Sequence, residues 1–147
     1  SDAGWDFHSN RNSPKNLGGM SWLGPQVDHA VAAFLEDVHE RGLSDKILLA
    51  VTGEMGRTPR RNKNGGRDHY GGLTSLLLAG GGIRGGQIIG QSDRFATKPK
   101  TTPYNPGHLV ATVMNTLLDV GQLRVTSGVP GELIKLLTEI KPIGDLL

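Results

Sequence analysis

The chain has 147 residues, 36% apolar and 20% charged, with 22 Gly, 8 Pro and no Cys; the length suits one domain, and the missing thiols exclude a disulfide scaffold, a Cys nucleophile and a Cys zinc site. Apolar stretches such as 47–51 and 76–79 fall far short of the roughly 20 residues a membrane span requires, so no span is expected. Sixteen Lys and Arg against fourteen Asp and Glu leave a formal charge of +2, too little to read a nucleic-acid partner from net charge.

The start, Ser1-Asp2-Ala3-Gly4 followed by Trp5-Asp6-Phe7-His8, shows no basic region with an apolar core behind it, so no signal peptide is predicted; the chain is either intracellular or a mature or cut-down piece of a longer one. Residues 9–25 are rich in Ser, Asn, Gly and Pro and predict a long loop. From 26 to 41, Val27, Ala30, Val31, Phe34, Leu35 and Val38 repeat with the period of an amphipathic helix, and Gly42 supplies its stop. The run 46–52 predicts a strand buried on both faces in a parallel sheet, and 74–79 predicts a second. Between them, residues 53–72 hold six Gly and five cations (Arg57, Arg60, Arg61, Lys63 and Arg67) after a strand end, where open α/β sheets place ligands. Gly80-Gly81-Gly82 predicts a turn, 85–90 a short extended piece, 109–117 a helix entered through Pro106 and stopped near Gly121, and 133–140 a last short helix. The order is α/β, with too few strands for a whole sheet.

Three motifs gather the unusual side chains: Trp5-Asp6-Phe7-His8, Gly53-Glu54-Met55-Gly56-Arg57-Thr58-Pro59 and Gly65-Gly66-Arg67-Asp68-His69-Tyr70. On an extended segment residues i and i+2 face the same side, so Asp6 and His8 can converge on one point. With Glu54 and His69 they make a His/Asp/Glu set suited to a divalent ion. The spacing alone also fits Asp6 as a turn or cap residue, His8 as a surface imidazole, His69 as a loop residue and Glu54 as a strand-end carboxylate paired with Arg57. His29 and His39 lie off the apolar stripe and are expected in solvent, and His108 suits a cap better than a ligand. The arginines either clamp a tetrahedral oxyanion or are simply solvated; no aromatic residue is interleaved among them to stack bases, which argues against nucleic acid.

In this order, and with residues 77–90 following, the motifs resemble the C-terminal part of an uncharacterised bacterial sulfatase-like family of the alkaline-phosphatase-like superfamily, which carries WD-x-H, GE-x-GRTP, GGRDH and LLAGGG-x-GG-x-x-G. The resemblance covers residues 4–120. It implies the C-terminal portion of a mostly parallel sheet flanked by helices, so that 1–147 is a single domain or a fragment. It implies a metal-dependent hydrolase of phosphate or sulfate esters, on substrates such as sulfated polysaccharide. Asp6, His8 and His69 then hold zinc, calcium or manganese with Glu54 as a further ligand, Arg57 and Arg67 stabilise charge on the ester oxygens, and Asp68 orients an imidazole or an arginine. Met55 stands where a second metal would want a His, which leaves a non-catalytic protein that binds anionic glycans as the alternative. The resemblance also puts the nucleophile in an N-terminal half, a partner this chain lacks and without which it is expected to be inactive. It makes the parent an exported protein, periplasmic or extracellular, and the uncovered sheet edge predicts self-association.

Overall fold

The computed structural model describes residues 5–9, 19–144 and 146–147. The described residues are mixed α/β: four helices and two small antiparallel sheets of two strands each. Helix α1, Met20–Glu40, is longer than predicted and takes in Pro25; of the loop expected over 9–25, residues 10–18 lie outside the described residues. The Arg41 and Gly42 amides close its end on Asp37 and His39 carbonyls, with Gly42 at φ +65°, the left-handed conformation that glycine adopts without a Cβ penalty.

Strand β1, Leu48–Thr52, corresponds to the first apolar run, and the second run forms the next long strand, Leu76–Gly80. These two pair with each other antiparallel, Leu48 opposite Gly80 and Thr52 opposite Leu76, which corrects the expectation of parallel strands. A parallel return needs a crossover of a dozen or more residues, usually a helix, whereas the chain between the runs forms a hairpin and comes back alongside itself. That hairpin is β2, Gly56–Arg57, paired antiparallel with β3, His69–Tyr70, so the second long strand is β4. The sheet is also only partly covered, with Leu76 and Leu77 exposed. Gly80 closes β4 at φ +80°, where a Cβ would lie 2.3 Å from the Ile47 carbonyl oxygen. Residues 85–90, expected to be extended, form no strand, and Ile88 is almost fully exposed.

Helix α2, Pro106–Leu117, begins with Pro at its first position, and a reciprocal cap holds it: Asn105 Oδ1 accepts from the His108 amide while His108 Nδ1 accepts from the Asn105 amide. His108 is thus a capping residue, as its position suggested. Gly121 does not end the helical region: α3, Val120–Val125, follows at once, with Asp119 Oδ1 accepting from the Gln122 amide at 2.8 Å. Helix α4, Gly131–Glu139, completes the set. The core sits among these three helices and the C-terminal segment, where Ala111, Thr112, Val120, Leu137, Ile143 and Leu146 are buried. The fully buried Thr112 ties it together, its hydroxyl donating to the His108 carbonyl at 2.7 Å and accepting the Ile143 amide at 2.8 Å. No helix among the described residues is long and apolar enough to cross a membrane.

Candidate metal and oxyanion site

Residues 5–9 run alongside the basic loop and are fastened to it through the backbone. Ser9 bridges Gly65, the Arg67 amide donates to the Phe7 carbonyl at 3.2 Å, and Asn62 Nδ2 donates to the His8 carbonyl at 2.9 Å. The approach is so close that a Cβ on Gly66 would stand 2.2 Å from the His8 carbonyl carbon, which explains a glycine at that position. Across the loop, the β2–β3 hairpin pairs Arg57 with His69. A Cβ on Gly56 would come 1.8 Å from the Leu73 carbonyl oxygen, so this strand position too depends on glycine.

The result brings together three residues that are 63 positions apart at the extremes. His8 Nε2 lies 3.2 Å from His69 Nε2 and 3.2 Å from Asp6 Oδ1, and His69 Nε2 lies 3.4 Å from the same oxygen. Three donor atoms form a nearly equilateral triangle. A tetrahedral ion with metal–ligand distances of about 2.0–2.1 Å separates its ligand atoms by about 3.3–3.4 Å, so the triangle matches one face of such a polyhedron. The side chains are about half exposed, which leaves the opposite side open to a further ligand.

The surrounding groups set the chemistry of the triangle. Asp68 Oδ1 lies 3.1 Å from His8 Nδ1, and Asn62 Nδ2 donates to that same oxygen at 2.8 Å. The Asn62 hydrogen bond first, and that of His8 after it, hold the Asp68 carboxyl below its ordinary range, so its oxygen is an acceptor, and with His8 Nδ1 turned to Asp68 the Nε2 edge of the ring faces the triangle. Asp6 is likewise lowered, chiefly by its hydrogen bond from Arg57 Nη2, with His69 and His8 adding to the effect. Arg57 is anchored from behind: Nη1 donates to the Arg67 carbonyl at 3.2 Å and the guanidinium stands 5.6 Å from the centre of the Phe7 ring. Nη1 also lies 3.4 Å from His8 Nε2. A cation thus stands against the triangle already.

Two expected members are not brought in. Glu54 is exposed at the bend of residues 54–55 that joins β1 to β2 and does not belong to the cluster, which Arg57 on β2 reaches. Arg67 is engaged with backbone: its Nη1 donates to the Thr58 carbonyl at 2.6 Å and to the Pro59 carbonyl, so it staples the loop. His29 and His39 are exposed on α1, as expected. The residue that sequence reasoning missed is Asn62. Besides its two side-chain donations, its Oδ1 accepts the amides of Asn64 at 3.0 Å and Gly66 at 3.1 Å. The signal was available, since Asn ahead of Asn-Gly-Gly favours a side chain that caps its own turn.

No curated protein and no solved structure matches the chain. A family model described as "Protein of unknown function (DUF1501)" matches residues 1–147, and the chain therefore belongs to the DUF1501 family.

Proposed function

We propose that the chain supplies the divalent-metal site of a hydrolase of phosphate or sulfate esters, such as those of a sulfated polysaccharide, and that its strands belong to the C-terminal part of an alkaline-phosphatase-like sheet. The observation that carries the reading is the triangle of His8 Nε2, His69 Nε2 and Asp6 Oδ1, with edges of 3.2, 3.2 and 3.4 Å. Two imidazole nitrogens and one carboxylate oxygen are donors that suit zinc and accept manganese, and calcium fits the oxygen alone well.

When bound, the ion supplies Lewis acidity at an ester oxygen and a lowered pKa for a hydroxyl or water. The chain's own residues do the positioning. Asp68, 3.1 Å from His8 Nδ1, keeps the ring from turning. Asn62 in turn fixes Asp68 and the backbone of His8. Arg57, kept at the triangle by the Arg67 carbonyl and the Phe7 ring, offers its N–H groups to the non-bridging oxygens of a tetrahedral anion.

Equilibrium dialysis of the purified chain against zinc, manganese and calcium tests the reading. One ion per chain is expected, with affinity falling by about a hundredfold in His8→Ala and in His69→Ala, as loss of one of three ligands should produce, and unchanged in Glu54→Ala and His29→Ala. Absence of binding, or equal affinity in all five proteins, overturns it.

A further inference from the structure

The β2–β3 hairpin has a second side. Tyr70 follows His69 along β3, so the two side chains leave the strand on opposite faces. His69 meets the triangle, while Tyr70 donates its hydroxyl hydrogen to the Thr97 carbonyl and so ties loop 91–101 to the hairpin. Between that loop and residues 58–60 lies an open hollow of about 450 Å³, lined by Thr58, Pro59, Arg60, Phe95 and Thr97.

The loop is firmly held. Ser92 bridges Pro99, and the Lys100 amide donates to the Gln91 carbonyl at 2.8 Å. The Asp93 carboxylate accepts the amides of Phe95 at 3.2 Å and Thr97 at 2.8 Å and the Thr97 hydroxyl at 2.7 Å. Ala96 adopts φ +54°, a conformation that costs a non-glycine residue energy. With all this order, the loop still holds an aromatic ring out in solvent: Phe95 is 57% exposed, and the Arg94 guanidinium stands 4.4 Å from its ring centre. Arg60 lines the same hollow, so two guanidiniums border one exposed ring.

The charge here has one sign. Residues 58–63 contribute Arg60, Arg61 and Lys63 and no carboxylate. Residues 91–101 contribute Arg94, Lys98 and Lys100 against Asp93 alone, whose oxygens face the loop's own donors. All six cations are exposed, and no carboxylate among the described residues pairs with any of them. Six of the chain's sixteen Lys and Arg thus belong to the two segments that wall one small apolar surface, although the net formal charge is only +2.

We infer that this hollow is a binding surface for a polyanionic glycan, separate from the metal triangle: one pyranose ring lies with its C–H face on Phe95 and Pro59, and sulfate or carboxylate groups of the chain meet the Arg60 and Arg94 guanidiniums. A guanidinium fork matches either oxyanion. An apolar ring bordered by cations selects a ligand that brings an apolar face as well as charge. Single-stranded nucleic acid fits less well, because it stacks successive bases on several aromatic residues, and Phe95 is the one aromatic side chain of the lining. The Thr58 and Thr97 hydroxyls, which could read base edges, already donate to the Arg60 carbonyl and the Asp93 carboxylate. Neither the ion nor the triangle takes part.

The test is binding of the purified chain, in EDTA, to fluorescently labelled dextran sulfate, carboxymethyl dextran, neutral dextran, oligothymidylate and polyglutamate, read by anisotropy. At least one charged dextran should bind, more weakly as salt is raised, and neutral dextran should not. Arg60→Gln, Arg94→Gln and Phe95→Ala should each lower affinity about tenfold. His8→Ala and Lys135→Gln should match the native chain. Tighter binding of dextran sulfate assigns sulfate and of carboxymethyl dextran carboxylate; either supports the proposal. It is overturned if neither charged dextran binds, if oligothymidylate or polyglutamate binds as tightly as the better dextran, or if binding survives Phe95→Ala. A loss in Lys135→Gln equal to that in Arg60→Gln would show charge without a site, and a loss in His8→Ala would put the glycan at the triangle; each overturns it too. Since the chelator removes any metal, failure of this surface leaves the metal-site reading standing.

Discussion

The C-terminal helical unit and the site loop are held by different forces. In the former, Ala111, Thr112, Val120, Leu137, Ile143 and Leu146 are buried, and burial of this kind is worth roughly 25 cal/mol per Å² of apolar surface. Around the triangle, by contrast, Asp6, His8, Asp68 and His69 are all about half exposed, and order comes from backbone bridges, side-chain hydrogen bonds and two glycines with no room for a Cβ. Val38 on α1 is the remaining buried apolar side chain among the described residues. Stability and ligand geometry should therefore be separable by mutation. A site built this way stays open to solvent and ligand, and it depends on close backbone contact where a domain core depends on area.

The sharpest way to break that contrast is a pair of reciprocal substitutions. Gly66→Ala puts a methyl group into the His8 backbone, so the segment 5–9 must move, and metal affinity should fall by about a hundredfold; the thermal midpoint should hardly change, because no core residue touches it. Thr112→Val keeps the shape of a buried side chain but leaves the Ile143 amide without its acceptor, at a cost of about 2 kcal/mol. Here the midpoint of unfolding should drop while metal affinity stays as it was. If Gly66→Ala destabilises the chain as much as Thr112→Val does, the two regions are one cooperative unit.

The same contrast governs what could be seen in the sequence. Apolar periodicity found α1, α2 and α4, because those helices turn an apolar stripe toward neighbours. It missed α3, whose start is marked only by the Asp119 cap and which contains the glycine taken as a stop. It also left strand direction open: a continuous apolar run fits either orientation, and the absence of a helix between 53 and 75 was the clue that the return is antiparallel. Polar residues carry no such period. Asp6, His8 and His69 were legible as a set through their chemistry and motif context, and Asp68 through its place beside His69. Glu54 was read as a ligand from donor chemistry and motif context, which say nothing of which side of a bend a carboxylate takes, and the cluster forms from Asp6, His8 and His69 without it. The loop-stapling bonds of Arg67 were not legible, because a guanidinium satisfies backbone carbonyls as readily as an anion.

A smaller effect sharpens the electrostatic side of the comparison. Arg57 sits against the triangle with one N–H on Asp6 and another near His8 Nε2, so it competes with any cation that binds there. Arg57→Gln removes the charge while leaving an amide that can still donate to the Arg67 carbonyl. Because the site is half exposed and screened, the expected gain in manganese affinity is only about threefold, and it should shrink as salt is raised. The same variant should bind inorganic phosphate more weakly. Loss of metal affinity instead would mean that Arg57 shapes the site more than it opposes the ion.

The smallest effect concerns the loop that carries Phe95. Asp93 accepts the Thr97 hydroxyl and the amides of Thr97 and Phe95, and these bonds, the Thr97 hydroxyl first, hold its carboxyl below the ordinary 3.8. A carboxyl whose folded pKa is depressed contributes its full stabilisation above the unfolded value and loses it as pH falls through the folded one. The loop should therefore be fully ordered above pH 3.8 and loosen only below it. The helical unit, held by apolar contact and by the Thr112 hydroxyl, has no such dependence in those bonds. Hydrogen exchange followed from pH 5 downward, corrected for intrinsic rates, should show the Thr97 and Phe95 amides losing protection before the Ile143 amide does. Asp93→Asn should show the loosened loop at every pH, since a neutral amide is the weaker acceptor. If the two regions instead lose protection together, acid unfolds the chain as one body, and the loop's order depends on the helices after all.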